Sequence, residues 1–238
     1  MPAPDASSPI VAIVPARGGS KRIPRKNIRP FRGTPLLERT IRMLDSVGLF
    51  DRIVVSTDDD EIASIAIAAG AEAPFRRPSA LAEDNAGARP VIIHAIETLE
   101  LESGVELGPI CIVYPTAVFV GPGDIREALA ALERTEADFV FSATSYDAPI
   151  QRALRRRTDG TCEPFWPENT LSRSQDLEPA YHDAGQFYWG RRDAWLSDGP
   201  VFESNAQVHV LPQWRVQDID TPDDWTRAEL IHRLIGDE

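Results

Sequence analysis

Short apolar runs alternate along the chain with segments of helical periodicity. PIVAIVPA (9–16) is rich in Val and Ile, as a strand buried on both faces would be. Similar runs predict strands at 52–57, 73–75, 109–114, 138–144, 184–190 and 206–212. Between them the pattern predicts helices over 34–48, 58–69, 88–102, about 124–134, 193–199 and 221–236. This alternation is typical of a doubly wound, mostly parallel α/β sheet, a Rossmann-like fold.

Residues at the ends of these segments support the helix assignments. Thr34 is placed to cap the first helix, Pro35 fits its first turn, and Gly48 fits its stop. The three aspartates at 58–60 are expected to start the second helix rather than to contact a ligand, because carboxylates are favourable at a helix N-terminus.

The alternation breaks between about residues 146 and 183. This stretch mixes Pro, Trp, Tyr, His, Arg and Gln with little periodicity. We therefore expect a single domain over 10–238 with an irregular insertion at about 146–183, preceded by a disordered leader over 1–9.

Composition and charge narrow the function classes. The 238 residues include 25 Lys and Arg against 37 Asp and Glu, for a net charge of −12. Binding to nucleic acid or to a membrane surface is disfavoured, because both need a basic footprint. The two cysteines, Cys111 and Cys162, cannot form a disulfide framework. Without a signal peptide or an apolar membrane span, a cytoplasmic protein is expected.

A basic, glycine-bearing loop follows the first strand. Ligands of open α/β sheets bind beyond the carboxyl ends of the strands, where Gly18 and Gly19 would let backbone N–H groups approach an anion. Five cations lie within ten residues of this acidic chain: Arg17, Lys21, Arg22, Arg25 and Lys26. The pattern predicts a polyphosphate pocket; the alternative is a solvated basic turn. Neither GxxxxGK[ST] nor GxGxxG is present.

Two aspartates near the C-terminus form a second motif. Asp218 and Asp220 lie two apart in VQDIDTP, so an extended backbone points both carboxylates to one side. Such a pair suits Mg²⁺ shared with substrate phosphates. The alternative is that Asp220 merely caps the helix that begins at Thr221.

Several segments together resemble one enzyme family. IVPARGGSKRIPRKN (13–27), STDDDEIA (56–63), RPSALAEDNA (77–86) and DIDTPDDW (218–225) resemble, in order, segments of the cytidylyltransferases that activate 2-keto sugar acids, the CMP-sialic acid synthetase type. YPTAVF (114–119) and YHDAGQFYW (181–189) look more like the pseudaminic acid branch of that family. Tyr114 departs from the sialic acid branch, in which Gln precedes Pro-Thr.

The resemblance implies roles for residues of both motifs. It implies that Arg17, Lys21, Lys26 and Asn27 contact the phosphates of CTP. It also implies catalytic roles for Arg17, Lys21 and Lys26. It implies a loop backbone formed by Gly18, Gly19 and Ser20, and a metal pair formed by Asp218 and Asp220. Arg77 falls on a cytidine-contacting position, although a solvated loop Arg fits the sequence equally. Asp84 either caps the next helix or lines the cytidine pocket.

The insertion and its flanks carry candidate sugar-binding residues. Aromatic rings interleaved with Arg, Gln and Asp suit a polyhydroxylated acid, and they equally suit a dimer interface. The candidates in this stretch are Gln151, Arg152, Arg173, Gln175, His182, Asp183 and Gln186, and Tyr114 and Thr116, at the end of the strand at 109–114 and just beyond it, are two further candidates. In the family this insertion exchanges between subunits, so the resemblance implies a homodimer.

The expected function is that of a Mg²⁺-dependent nucleotidyltransferase that joins CTP to a nine-carbon 2-keto sugar acid. The resemblance favours pseudaminic acid over legionaminic, N-acetylneuraminic or 3-deoxy-manno-octulosonic acid. A non-catalytic nucleotide-binding protein of the same fold is the remaining alternative.

Overall fold

A six-stranded sheet forms the centre of the computed structural model, which describes residues 8–83, 87–203 and 205–236. The strands, in chain order, are β1 (Val11–Pro15), β2 (Pro30–Phe31), β3 (Thr34–Pro35), β4 (Arg52–Ser56), β5 (Ile110–Val113), β6 (Phe139–Ser145), β7 (Leu154–Arg156), β8 (Cys162–Pro164), β9 (Tyr181–Gly190) and β10 (Ala206–Val210). The central sheet has the order β10-β6-β9-β5-β1-β4. Only β9 runs antiparallel to its neighbours there, so the expected mostly parallel α/β sheet is confirmed.

Helices cover both faces of this sheet. They are α1 (Leu36–Val47), α2 (Asp60–Ala68), α3 (Ala88–Ser103), α4 (Pro122–Arg134), α5 (Arg192–Leu196) and α6 (Pro222–Ile235). Successive residues of β1 point to opposite faces: Ala12 and Val14 pack in the cluster with α1, α2 and α4, and Val11 and Ile13 in the cluster with α3 and α5. This explains the unbroken apolar run of β1.

In the described part of the chain, no helix is long and apolar enough to cross a membrane.

Two local predictions were wrong. Thr34 does not cap α1, and Pro35 is not its first helical residue: both belong to β3, which pairs with β2, and α1 begins only at Leu36. The expected strand at 73–75 is absent from the described residues, and the chain there makes only isolated bridges at Glu72 and Arg76. Pro74, which lacks a backbone N–H, prevents a continuous ladder.

The insertion is more ordered than its sequence indicates. It contains the β7–β8 hairpin, and β9 begins at Tyr181, inside the range assigned to the insertion. The register between β9 and β6 shifts between Phe141 and Ala143, opposite a stretch in which Gly185 has φ +62°. A bulge interrupts the two-residue alternation, which explains why the first residues of β9 do not read as strand.

Candidate functional site

The basic loop after β1 and the aspartate motif before α6 meet beyond the carboxyl end of β1. The Lys26 ammonium donates to Asp220 Oδ1 at 3.1 Å and to the Ile219 carbonyl at 2.7 Å. The Arg22 guanidinium lies 2.8 Å from Asp220 Oδ2. Two motifs separated by most of the chain therefore form one charged site.

The loop backbone is held by side chains from two directions. Gly18 N donates to Asp58 Oδ1 at 2.9 Å, and the Asn27 amide donates to the Arg17 carbonyl at 3.0 Å. A Cβ on Gly18 would lie 2.7 Å from Asp59 Oδ2, so a larger residue there would displace the Asp59 side chain, whereas a Cβ on Gly19 would meet nothing within 4 Å. Asn27 is itself buried, so its contact in this structure is with the loop rather than with the open pocket.

Arg25 anchors the loop to the start of α2. It has φ +57° and forms a bidentate contact with Asp59, at 2.5 and 3.0 Å, and a further contact with Glu61. Asp59 also caps α2 by accepting from two backbone N–H groups. The hydrogen bond from Arg25, with these caps, lowers the pKa of Asp59 to about 2.

The cations of the loop therefore divide into groups with different partners. Arg25 is committed to α2, and Arg22 and Lys26 bind Asp220. Arg17 donates to the Ala82 carbonyl at 3.3 Å, and Lys21 is exposed.

The expectation that Asp58 and Asp59 serve only the helix start was incomplete. Both lie just beyond β4, and parallel neighbours end at one edge of a sheet, so an acidic run there faces the basic loop.

Arg77 is not a solvated loop residue. It is 6% exposed, and its guanidinium donates to Ser56 Oγ at 3.2 Å and to the Ser56 carbonyl. Burial lowers the pKa of Arg77, the charge of Asp58 opposes this, and the charge of Arg17 adds to it. Its cytidine-binding role stays a prediction. Asp84 lies outside the described residues.

The aspartate pair has the alternation that the sequence predicts. Ile219 is fully buried, and Asp218 and Asp220 lie on the outer side. Desolvation and the neighbouring charge of Asp220 raise the pKa of Asp218. Asp220 is not the helix cap, because Thr221 caps α6 in a capping box with Asp224.

Two sugar-site candidates, Tyr114 and Asp183, lie around Tyr188, which is not itself among the predicted site residues. The Tyr188 hydroxyl donates to Asp183 Oδ2 at 2.5 Å, and its ring meets that of Tyr114 at 6.2 Å. Burial, the Asp183 hydrogen bond and nearby charges that include Asp218 raise the pKa of Tyr188. The polar group formed by Tyr114, Asp183 and Tyr188 therefore lies close to the aspartate pair.

The other candidates lie elsewhere. His182 alternates with Asp183 along β9, contacts the Tyr146 ring at 4.9 Å, and lines a separate cavity of about 370 Å³. Thr116 lies in the turn after β5 and Gln175 on the insertion surface. Contacts within the insertion engage Gln151, Arg152 and Arg173.

Gln186 lies beneath the site rather than in it. It is 2% exposed, and its amide donates to the Arg215 carbonyl at 3.1 Å. Its Oε1 finds no hydrogen-bond partner among the described residues. Its sugar-binding role stays a prediction.

A basic loop beyond β1 and a facing carboxylate pair are typical of a nucleotidyltransferase. The family model for cytidylyltransferases matches residues 11–187, and the chain belongs to this family of enzymes. It is 40% identical to the pseudaminic acid cytidylyltransferase of a serotype O:2 strain of Campylobacter jejuni, over 94% of this chain and 96% of that protein. It is 26% identical to the CMP-N,N'-diacetyllegionaminic acid synthase of Legionella pneumophila, over 94% and 97%.

Solved structures agree on the fold. A CMP:2-keto-3-deoxy-manno-octonic acid synthetase complexed with CTP matches with a TM-score of 0.71 and 16% identity, over 96% of this chain and 100% of that one. A 4-diphosphocytidyl-2C-methyl-D-erythritol synthase from Anaerococcus prevotii matches with a TM-score of 0.62 and 14% identity, over 95% and 99%.

The Arg25–Asp59 contact makes stability depend on pH. Asp59→Asn keeps a cap oxygen but loses the charge, so at neutral pH the free energy of unfolding should fall by on the order of 1 kcal/mol. The pKa of Asp59 is lower in the folded state than in the unfolded state. Its ionised carboxylate therefore stabilises the fold at pH values above the unfolded-state pKa, and this stabilisation is lost as the pH falls through the folded-state pKa. The difference from the parent should therefore shrink as pH falls from 3.8 towards 2.

Urea titrations across this pH range measure the effect. The exposed Asp198→Asn serves as the control and should change the free energy of unfolding little. An Asp59→Asn difference that is constant with pH would contradict the ion-pair account.

Proposed function

We propose that this cytidylyltransferase joins CTP to a nine-carbon 2-keto sugar acid, pseudaminic acid, giving the CMP-sugar and pyrophosphate. The observation that carries the proposal is the 40% identity to the Campylobacter jejuni enzyme across nearly the full length of both chains. The polar group of Tyr114, Asp183 and Tyr188 beside the aspartate pair supports a hydroxyl-bearing or amide-bearing acceptor there.

The chain's contribution to the reaction is positioning and charge neutralisation. The anomeric hydroxyl of the sugar acid attacks the α-phosphorus of CTP in line and gives up its proton to solvent water, while the bond to the bridging oxygen breaks and pyrophosphate leaves with its electron pair. Lys26, Lys21 and Arg17 are the cations that we propose neutralise the charge that moves onto pyrophosphate. A Cβ on Gly19 would meet nothing within 4 Å, so the loop leaves room beside Gly19 for a phosphate.

We propose that Asp218 and Asp220 hold Mg²⁺ together with the substrate. Carboxylate oxygens are the donors that Mg²⁺ prefers, and burial together with the neighbouring charge of Asp220 raises the pKa of Asp218. Within 8–83, 87–203 and 205–236, no three His, Cys, Asp or Glu side chains gather as a complete metal site. Two carboxylates completed by phosphate oxygens and water fit this ion. When bound, it would neutralise phosphate charge.

Loss of one carboxylate should weaken the metal more than the fold. Asp218→Asn should reduce Mn²⁺ binding measured by electron paramagnetic resonance in the presence of CTP by about 10-fold or more, because Mn²⁺ binds the ligands that Mg²⁺ uses. Relief of the repulsion should leave the free energy of unfolding unchanged or higher. Unchanged Mn²⁺ affinity would contradict the metal assignment.

A pyrophosphate-release assay with CTP, Mg²⁺ and a panel of sugar acids tests the function. Pseudaminic acid should be preferred over N-acetylneuraminic acid by at least about 100-fold in kcat/KM, because a hydrogen-bonding pocket rejects analogues that leave its polar groups unpaired. Legionaminic and 3-deoxy-manno-octulosonic acids complete the panel.

Each outcome of this assay separates the alternatives. A preference for another acid would overturn the substrate and keep the reaction. Release with none of the acids would indicate a non-catalytic nucleotide-binding protein and overturn the function.

We also propose a C2 homodimer formed through the insertion. Leu154, Phe165 and Leu171 are 61%, 48% and 95% exposed, and burial between subunits would remove this apolar surface from water. Light scattering should give about twice the chain mass, and Leu154→Asp should shift it towards the monomer and raise the sugar-acid KM. Leu101→Asp, on α3 and 88% exposed, is the matched control. A fully active monomeric parent would contradict the proposal.

The reducing cytoplasm is the compartment that we propose. Cys111 is buried and Cys162 is exposed, and both are free thiols in this structure. An exposed free thiol is compatible with a reducing compartment.

A further inference from the structure

The segment that carries the aspartate pair is fixed at one end by a partly buried ion pair. The Arg215 guanidinium contacts both oxygens of Asp124, one of them at 3.1 Å, and donates to the Phe119 carbonyl at 2.8 and 3.1 Å. The two side chains are 22% and 11% exposed. Arg215 thereby joins the segment to the N-terminus of α4 and to the turn that follows Tyr114.

Asp124 is itself held from several sides. Its Oδ2 accepts from Gly121 N at 2.8 Å, and His209 Nε2 lies 3.3 Å from Oδ1. Burial alone would raise the pKa of Asp124, but the hydrogen bonds from His209, Arg215 and Gly121 lower it to about 2. The carboxylate is therefore charged at neutral pH and rigidly oriented.

Further hydrogen bonds hold both ends of the segment. The carbonyl of Arg215 accepts from the buried Gln186, and on the far side Asp224 accepts from Asp220 N at 3.2 Å and from Thr221 N at 2.8 Å. Asp218 lies only three residues beyond Arg215, a reach of about 10 Å in extended chain. The anchored Arg215 is therefore separated from the carboxylates by only a short length of chain.

We propose that Arg215 and Asp124 are positioning residues for the reaction, which fix the start of segment 216–220 and so set the Asp218 and Asp220 carboxylates for the divalent cation. This inference rests on the proposed function. Neither side chain needs to touch the substrate. Groups that orient metal ligands typically change metal affinity by about 10-fold to 100-fold when they are removed.

Arg215→Met and Asp124→Asn test the inference. Each should weaken Mn²⁺ binding in the presence of CTP by about 10-fold, measured by electron paramagnetic resonance, and raise the Mg²⁺ concentration for half-maximal activity similarly. kcat at saturating Mg²⁺ should stay within about threefold of the parent, because the reacting groups remain. Arg215→Lys keeps the charge but loses the bidentate guanidinium contact with Asp124. Its Mn²⁺ affinity should lie between those of the parent and Arg215→Met.

Arg191→Met is the matched control. Arg191 also donates to three backbone carbonyls, of Leu132, Thr135 and Ala137, but these lie at the opposite end of α4. It should lower the free energy of unfolding without changing Mn²⁺ affinity.

The outcomes distinguish this inference from the proposed function. A parent protein that binds no Mn²⁺ with CTP would overturn the metal part of the proposed function. Parent-like Mn²⁺ affinity in Arg215→Met would overturn the inference alone. If Arg215→Met does not fold, parent-like affinity in both Arg215→Lys and Asp124→Asn would overturn it.

Discussion

The contact of Lys26 with Ile219 and Asp220 joins the beginning of the domain to its end. A single ammonium donates to the Ile219 carbonyl at 2.7 Å and to the Asp220 carboxylate at 3.1 Å, across a sequence separation of 193 and 194 residues. The site depends on this contact because the loop and the aspartate pair lie on separate elements. In a chain of net charge −12, this contact places the positive charge of Lys26 beside the partly buried carboxylates of the aspartate pair.

The rest of the site braces these two halves. Arg25 and Asp59 attach the loop to α2, and Gly18 permits the close approach of that aspartate. Arg215 and Asp124 attach the carboxylate segment to α4. Both braces use a bidentate arginine fork on a carboxylate, which fixes orientation as well as distance. The site is therefore preorganised by ion pairs that lie beside it.

The sequence predicted the features that depend on local pattern. The apolar run of β1, the basic loop and the alternating Asp218-Ile219-Asp220 motif are visible in sequence because periodicity and spacing determine them. β9 was harder, since a bulge near Gly185 breaks the alternation and no local signal states that a strand is antiparallel. Thr34 resembles a helix cap in sequence because β2 and β3 are only two residues long each. Strands this short have no alternation that distinguishes them from a loop before a helix.

Side-chain partners across the fold could not be predicted in the same way. Arg77 reads equally as a solvated or a buried arginine until Ser56 is placed beside it. Arg215 and Asp124 lie 91 residues apart, and neither belongs to a motif. Sequence identifies residues that bear chemistry when they cluster along the chain, whereas residues that brace them are found only through tertiary contacts.

A double-mutant cycle between Lys26→Met and Asp220→Asn tests most directly whether the two motifs act as one site. The measured quantity is the free energy of CTP binding in the presence of Mg²⁺, by isothermal titration calorimetry. Direct contact predicts a coupling energy of at least about 1 kcal/mol, because each substitution alone also removes the other's partner. Losses that add to within about 0.3 kcal/mol would show two independent sites and contradict the account.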